Sequence, residues 1–194
     1  MTGTLVLAST SPQRRAILAQ LRIPFRAVAP DYVEHDPPDA DPVALVRDHA
    51  EAKARSVHAG GAVTLGVDTT VHLDGRVYGK PRDRESARAM LLELAGRTHL
   101  VLSGICLLGA GFEVVEHEVT RVRFRLLSPQ EVDVYLDAGE WSGRAGGYAI
   151  QGLGARLVAG IEGDYLNVVG LPATPLLDAL ALHAPNLLQV ADPS

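Results

Sequence analysis

The sequence has few cysteines, aromatic residues and lysines for its 194 residues. The single cysteine, Cys106, excludes an intrachain disulfide and a cysteine-based metal site. Aromatic residues make up 5% of the chain and form no stripe on which the bases of a nucleic acid would stack. Basic residues number 18 against 23 acidic ones, and the net charge of -5 argues against stable binding to nucleic acid.

Long apolar runs are also missing, since no segment approaches the ~18 uninterrupted apolar residues that a membrane-spanning helix needs. In residues 1–15 the positive charges follow the apolar stretch, which is the reverse of a secretory signal. We therefore expect a cytoplasmic protein that does not associate with membranes. An apolar content of 47% at this length predicts one globular domain that spans residues 1–194.

Several motifs of nucleotide-binding and metal-dependent enzymes are absent. There is no GxxxxGK[ST] phosphate loop, no GxGxxG dinucleotide fingerprint, no HExxH zinc motif and no GxSxG nucleophile elbow. The histidines show no spacing typical of metal ligands, so we expect them on the surface or in supporting roles. They are His35, His49, His58, His72, His99, His117 and His183.

Segments typical of strands and helices alternate along the chain. Most helix starts are marked by a Ser-Pro, Asp-Pro or Thr-Pro pair, in which the first residue caps the helix and the proline begins it. The predicted helices are 12–21, 42–58, 84–95, 129–138 and 175–183. The predicted strands are 4–8, 62–72, 98–108, 112–127 and 155–161, and the predicted loops are 30–41, 139–154 and 162–175. Helices combined with hairpin signals favour an α/β fold with a mixed sheet.

Residues 7–15, LASTSPQRR, place two arginines in the first turn of a predicted helix. The amino end of a helix is already positive, so Arg14 is unfavourable there unless an anion binds. Backbone N–H groups, the hydroxyls of Ser9 and Ser11, and Arg14 would then converge on a phosphate. The alternative is that Ser11 only caps the helix and both arginines point to water.

Three further positions carry groups suited to a charged substrate. Asp68 interrupts an apolar strand, where a carboxylate must be paired, bound to metal or placed at a strand end that faces a cleft. Glu34, in the acidic loop, would be a second oxygen ligand, because two carboxylates and substrate phosphates commonly hold Mg²⁺. Lys80 lies between a glycine and a proline that would aim its side chain. The alternatives are local hydrogen bonding for Asp68 and solvated side chains for Lys80 and the loop acids, Asp36 included.

Residues 144–172 form a glycine-rich segment that either contacts a nucleotide base or wraps the core. The amide of Gln151 offers a donor and an acceptor, which suits the edge of a base. Tyr148 and Tyr165 would stack on that base, whereas in the alternative the glycines only allow tight turns. Three alternating arginines are assigned to a solvated strand face. These are Arg121, Arg123 and Arg125.

Together these segments resemble the Maf family of nucleoside triphosphate pyrophosphatases. The motifs that carry the resemblance are LASTSPQRR (7–15), GVDTTV (66–71), GKPRD (79–83), AGGYAIQGLGA (145–155) and NVVGLP (167–172). The resemblance implies a bilobed α/β fold, with a mixed twisted sheet flanked by helices and a central cleft. It also implies a homodimer, a divalent cation (Mg²⁺ or Mn²⁺) and hydrolysis of a nucleoside triphosphate to its monophosphate and pyrophosphate.

The same resemblance implies roles for individual residues. Asp68 matches the catalytic carboxylate, and Glu34 with Asp68 matches the metal ligands. Arg14, Lys53 and Lys80 match catalytic cations that bind phosphates, and the two lysines are the only ones in the chain. Thr69 and Gln151 match positions tied to substrate choice, and the predicted substrate-binding residues are Ser9, Ser11, Gln13, Thr69 and Gln151.

The YAIQG context of Gln151 is similar to the family branch that acts on dTTP and UTP, whereas the 7-methyl-GTP branch has glutamate at that position. Two positions depart from the family pattern. Val33 replaces an aspartate before Glu34, and Gln13 stands where the dTTP/UTP branch has arginine, whose charge and two-pronged donor geometry glutamine lacks. A different interpretation is a nucleotide-binding regulator of septum formation that needs no turnover.

Overall fold

The computed structural model describes residues 3–37 and 39–189, so both ends of the predicted domain, 1–194, lie outside the described residues. The strands are β1 (Leu5–Ala8), β2 (Phe25–Val28), β3 (Thr64–Leu73), β4 (Arg76–Tyr78), β5 (Thr98–Gly109), β6 (Phe112–Phe124) and β7 (Val158–Glu162). The helices are α1 (Pro12–Gln20), α2 (Pro42–Val57), α3 (Arg84–Leu94), α4 (Pro129–Asp137), α5 (Tyr165–Val169) and α6 (Ala173–His183). Short 3-10 helices cover Ala145–Gly147, Gly152–Arg156 and Pro185–Leu188.

The strands form one mixed sheet in the order β2-β1-β3-β5-β6-β7, which confirms the predicted α/β class. β1 pairs in parallel with β2 and with β3, and the remaining pairs are antiparallel. Among the described residues, no helix has the length and apolar character needed to cross a membrane.

The sheet divides at the middle of β3. One edge of this strand pairs with β5 from Thr64 to His72. On the opposite edge, β1 pairs only with residues 64–66 and β4 only with residues 71–73. Within residues 3–37 and 39–189, residues 67–70 therefore have no strand partner on that edge, and the sheet opens into a fork there. A crevice at the carboxyl ends of parallel strands is the usual binding place in such sheets.

Two hydrophobic clusters lie on either side of this fork. The first joins β1, α1 and α6 to the start of β3, and the second joins α3 and α4 to the end of β3 and the glycine-rich segment. The cleft between the clusters is lined by residues that belong to them or pack on them. Val71 and Ile150 belong to the second cluster, and Val169 packs against both clusters. This arrangement accounts for the bilobed shape with a central cleft that the family resemblance implies.

Helix starts follow the predicted chemistry. The side chains of Ser11, Asp41 and Ser128 accept hydrogen bonds from backbone N–H groups of the first turns of α1, α2 and α4. α6 is an exception, because it begins at Ala173 after Pro172 and not at Pro175. The loop predicted over 162–175 is also wrong in part, since it contains α5, whose start is capped by Asp164.

Strand boundaries differ more than helix boundaries. β2 has no counterpart in the predictions, because its four residues at the sheet edge show neither alternating nor continuous burial. β6 ends at Phe124 and not at residue 127, and β7 begins at Val158, after a 3-10 helix that occupies the predicted start of the strand. Short edge strands carry little periodic signal, whereas the buried β3 and β5 were predicted closely.

Candidate active site

Arg14 turns back across the fork after α1 begins. Its Nε donates to the carbonyl of Gly170 at 2.9 Å, and its terminal nitrogens donate to Ser9 Oγ at 3.2 Å and to Thr69 Oγ1 at 3.1 Å. Ser11 meanwhile caps the helix, and Arg15 is exposed. The alternative interpretation is therefore correct for the Ser11 cap and for Arg15, but wrong for Arg14, which does not point to water.

Two glycines bring α2 close to the sheet. A Cβ at Gly66 would collide with the carbonyl oxygen of Ala50, and one at Gly104 would collide with the carbonyl of Val46. Along β3, Leu65 and Val67 face the opposite cluster, so Gly66 and Asp68 face α2. The close approach of helix and sheet brings the long side chain of Lys53 to the level of Asp68.

Lys53 bridges the two carboxylates that the sequence singles out. Its Nζ lies 2.5 Å from Oδ1 of Asp68 and 2.5 Å from Oε1 of Glu34. The second oxygen of Glu34 accepts a hydrogen bond from Nζ of Lys80 at 2.7 Å. Lys53 and Asp68 are buried, whereas the side chain of Lys80 is 53% exposed. The result is a row of alternating charges that runs from the cleft surface to its floor.

His49, which the sequence analysis left without a specific role, continues this row. Its Nδ1 lies 3.6 Å from Oδ2 of Asp68 and 3.6 Å from Oδ1 of Asp36. Its ring meets the edge of Tyr32 with centroids 5.6 Å apart. Asp36 is exposed, as the solvated interpretation predicts, and its carboxylate also faces His49. The contact between His49 and Asp36 cannot be inferred from sequence spacing, because α2 and the acidic loop come together only in the folded chain.

These contacts set the protonation of the site. Burial by itself would raise the pKa of Asp68, but the nearby His49 ring and the positive charges of Lys53 and Arg14 outweigh it and hold that pKa well below its usual range. At Glu34, burial also raises the pKa, but the contacts with Lys53 and Lys80 outweigh burial, so the pKa of Glu34 is lowered. Asp68 raises the pKa of His49. Both carboxylates are thus ionised at neutral pH.

All the residues predicted for the site line one cleft of about 370 Å³, a size that suits a small-molecule ligand. In order along the chain, these residues are Ser9, Ser11, Gln13, Arg14, Glu34, Lys53, Asp68, Thr69, Lys80 and Gln151. Thr69 Oγ1 lies 2.9 Å from Oγ of the buried Ser103, and Gln13 accepts a hydrogen bond from the Ser11 hydroxyl at 3.2 Å. Gln151 is exposed.

The glycine-rich segment lines the cleft, and of its two tyrosines only Tyr148 is among the lining residues that the structure describes. Tyr148 is buried and its hydroxyl lies 2.8 Å from Nε2 of His99, so its ring belongs to the second cluster. Tyr165 is 43% exposed and lies outside the residues that line the cleft. His49 and His99 are both buried, so of the two positions expected for the histidines they take the supporting one and not the surface.

The three alternating arginines are exposed, as predicted for a solvated strand face. Arg125 also donates hydrogen bonds to the carbonyl of Arg156 and to the carboxylate of Glu131. None of the three lines the cleft among the residues that the structure describes.

The donors in the cleft fit a hard divalent cation. Glu34 and Asp68 present carboxylate oxygens to the same lysine nitrogen, so the two groups lie side by side. Within residues 3–37 and 39–189, no group of three or more His, Cys, Asp or Glu side chains is arranged to hold a metal ion. Two carboxylates suffice for Mg²⁺ or Mn²⁺ when water and substrate phosphates supply the other ligands.

An α/β protein with lysines, an arginine and paired carboxylates at a sheet fork has a site built for a phosphorylated ligand. The Maf-like protein family matches residues 4–183, and the chain belongs to this family. It is 48% identical over 170 residues to the dTTP/UTP pyrophosphatase of Symbiobacterium thermophilum, covering 87% of this chain and 88% of the relative. It is 48% identical over 187 residues to the dTTP/UTP pyrophosphatase of Moorella thermoacetica, covering 92% and 94%.

Among solved structures, the Staphylococcus aureus Ham1 protein aligns with a TM-score of 0.42 and 13% identity, covering 62% of this chain and 71% of that one. This weak likeness bears on no residue of the site.

Proposed function

We propose that this chain is a nucleoside triphosphate pyrophosphatase that converts dTTP and UTP to their monophosphates and pyrophosphate. The observation that carries the proposal is the bridge of Lys53 between Asp68 and Glu34, which places ionised carboxylates and cations together at the fork. Two relatives at 48% identity are dTTP/UTP pyrophosphatases, which supports the choice of reaction.

In the proposed complex, the phosphate chain lies between the start of α1 and the lysines. Ser9 and Ser11 offer hydroxyl groups, and Arg14 offers a guanidinium already oriented by Thr69 and the carbonyl of Gly170. A donor held in place before binding costs little reorganisation when charge develops on the phosphates. Lys53 and Lys80 supply the remaining positive charge.

The proposed reaction is the attack of a water molecule on the α-phosphorus. The bond between the α-phosphorus and the bridging oxygen breaks, and pyrophosphate leaves with the electron pair. Asp68 accepts a hydrogen bond from the attacking water and orients it, since its lowered pKa keeps the carboxylate ionised. Lys53 holds that carboxylate in place through the 2.5 Å contact with Oδ1. Catalysis of this kind rests on positioning and electrostatics.

The proposal includes a divalent cation, Mg²⁺ or Mn²⁺, for which Glu34 and Asp68 would be the protein ligands. When bound, such a cation neutralises charge on the phosphates. Gln151 and Thr69 are proposed to select the base, and Gln13 to lie beside the nucleotide. The homodimer that the family resemblance implies and the cytoplasmic location expected from the sequence stay predictions, which light scattering and cell fractionation would check.

The test is pyrophosphate release from dTTP, UTP, CTP, 7-methyl-GTP and the standard purine triphosphates, with Mg²⁺ or Mn²⁺. We expect dTTP and UTP to lead, and Asp68→Asn to lower kcat by at least about a hundredfold while the fold is retained. A near-normal kcat in Asp68→Asn would overturn the role of Asp68. Binding without release from any nucleotide would favour the regulator that needs no turnover.

A further inference from the structure

Arg144 lines the cleft, but neither the sequence motifs nor the comparisons give it a role. It begins the turn that leads into the 3-10 helix Ala145–Gly147. Its N–H donates to the carbonyl of Trp141 at 3.2 Å, and its carbonyl accepts from Gly147 at 3.1 Å. Gly146 donates to the carbonyl of Gly79 at 3.1 Å, so this turn is fixed beside the segment that carries Lys80.

Four cationic side chains line the cleft among the described residues, and three of them are already engaged. Lys53 contacts Asp68 and Glu34, Lys80 contacts Glu34, and Arg14 donates to two hydroxyls and a carbonyl. Arg144 differs from all three. Its Nε is shielded from solvent and has no hydrogen-bond partner, and its guanidinium forms no ion pair within the part of the chain that is described.

A donor shielded from water and left without a partner is unfavourable, and such groups concentrate where a ligand completes them. Arginine carries five donors and no acceptor, so its partner must be rich in acceptor oxygens. The carboxylates of Glu34 and Asp68 contact the lysines, and neither forms an ion pair with Arg144 in this structure. An anion that enters from solvent satisfies these conditions.

We propose that Arg144 binds the phosphate chain of the nucleotide as a fourth cationic contact, an inference that rests on the proposed function. The phosphate end is favoured over the base because the turn lies beside Lys80, which is proposed to bind phosphate. The base has a better partner in Gln151, whose amide supplies both a donor and an acceptor. Arg144 would thus close the cleft over the phosphates from the lobe opposite Arg14.

The experiment measures binding by calorimetry of two probes, inorganic triphosphate, which has no base, and uridine, which carries the base and no phosphate. Arg144→Gln removes the charge, Arg144→Lys retains it without the two-pronged donor, and Arg121→Gln makes the same change on an exposed strand face. We expect Arg144→Gln to weaken triphosphate binding about tenfold or more and to leave uridine binding within about twofold. Arg144→Lys should recover part of the loss, and Arg121→Gln should match the parent chain.

Two results would overturn the proposal: unchanged triphosphate binding in Arg144→Gln, or a larger loss for uridine than for triphosphate, which would assign Arg144 to the base. Equal thermal unfolding of the variants separates a lost contact from a lost fold. The proposed function fails by a different result. A parent chain that binds triphosphate but releases no pyrophosphate from any nucleotide would refute the activity and leave the binding role of Arg144 to the same comparison.

Discussion

The Nζ atom of Lys53 lies 2.5 Å from Oδ1 of Asp68, and both side chains are buried at the point where β3 has no partner between β1 and β4. Lysine and aspartate are almost never fully buried unless they are paired. The pair therefore links the stability of the fold to the site. The fork that opens the cleft also buries a lysine and an aspartate, and each stabilises the charge of the other.

This coupling predicts a large and non-additive effect on stability. Lys53→Met should lower the free energy of unfolding by about 3 kcal/mol, because it leaves Asp68 buried without its closest cation. In Lys53→Met with Asp68→Asn, the total loss should be smaller than the sum of the single losses by at least about 1 kcal/mol. Urea unfolding of the parent, the single variants and the double variant measures both quantities.

The control for this cycle is Lys80→Met, which removes the same side chain from an exposed ion pair with Glu34. Its loss should stay below about 1 kcal/mol, because exposed pairs contribute little. Equal losses for Lys53→Met and Lys80→Met would show that burial of the Lys53 pair has no energetic consequence.

The packing of α2 on the sheet gives a second prediction. Gly66→Ala adds a Cβ against the carbonyl oxygen of Ala50 and the backbone of Ala54, so α2 must move away from β3. We expect a loss of about 1–3 kcal/mol in the free energy of unfolding, typical of overpacking. We also expect a fall in kcat, since the displaced helix carries Lys53. Thermal unfolding and steady-state kinetics on UTP are the measurements.

Gly160→Ala is the matched control, because it changes a strand glycine whose Cβ would meet only Arg123, at an ordinary 3.5 Å. It should be close to neutral in both measurements. A Gly66→Ala variant as stable and active as Gly160→Ala would mean that close contact between α2 and β3 does not position the lysine.

Local signals predicted much of the fold. Capping residues followed by proline located α1, α2 and α4, and continuous apolar runs located β3 and β5. Asp68 was found because it interrupts an apolar strand, and Arg14 because it lies at the positive end of a helix, whereas Lys53 and Thr69 were assigned from the family resemblance. Residues whose role depends on a distant partner were not found. His49 meets Asp36 and Asp68 only after α2 packs on the sheet, and nothing in its sequence neighbours marks it.

Buried His99 makes stability depend on pH. Burial lowers its pKa to about 4, from an ordinary value of 6.5, so the folded chain holds this ring neutral while the unfolded chain protonates it. The unfolded state therefore binds more protons between these two values. Stability is full above about pH 6.5 and falls as the pH drops towards about 4, by about 3 kcal/mol from this group.

The measurement is the free energy of unfolding in urea between about pH 4 and pH 7, for the parent and for His99→Gln. The variant should show a flatter pH dependence, although it is less stable at neutral pH because the contacts with Tyr148 and Phe124 are altered. His35→Gln, at an exposed position, should leave the slope unchanged. Parallel curves for the parent and His99→Gln would refute the assignment.

The last prediction concerns the base. Gln151 lines the cleft from the glycine-rich segment, and its exposed amide offers one donor and one acceptor to a nucleotide. Gln151→Glu removes the donor and adds a negative charge, so contacts to a uracil or thymine carbonyl should be lost while the phosphate contacts at Arg14, Lys53 and Lys80 remain. Because a missing hydrogen bond to a polar substrate group discriminates strongly, we expect the ratio of kcat/KM for UTP over other triphosphates to fall about tenfold or more. Turnover of inorganic triphosphate, which has no base, should change much less.

Gln13→Arg is the matched comparison, since it adds a charge beside the start of α1. It should change the affinity for phosphate more than the preference among bases. An unchanged substrate profile in Gln151→Glu would remove this residue from base selection and leave Thr69, with its neighbour Ser103, as the next position to vary.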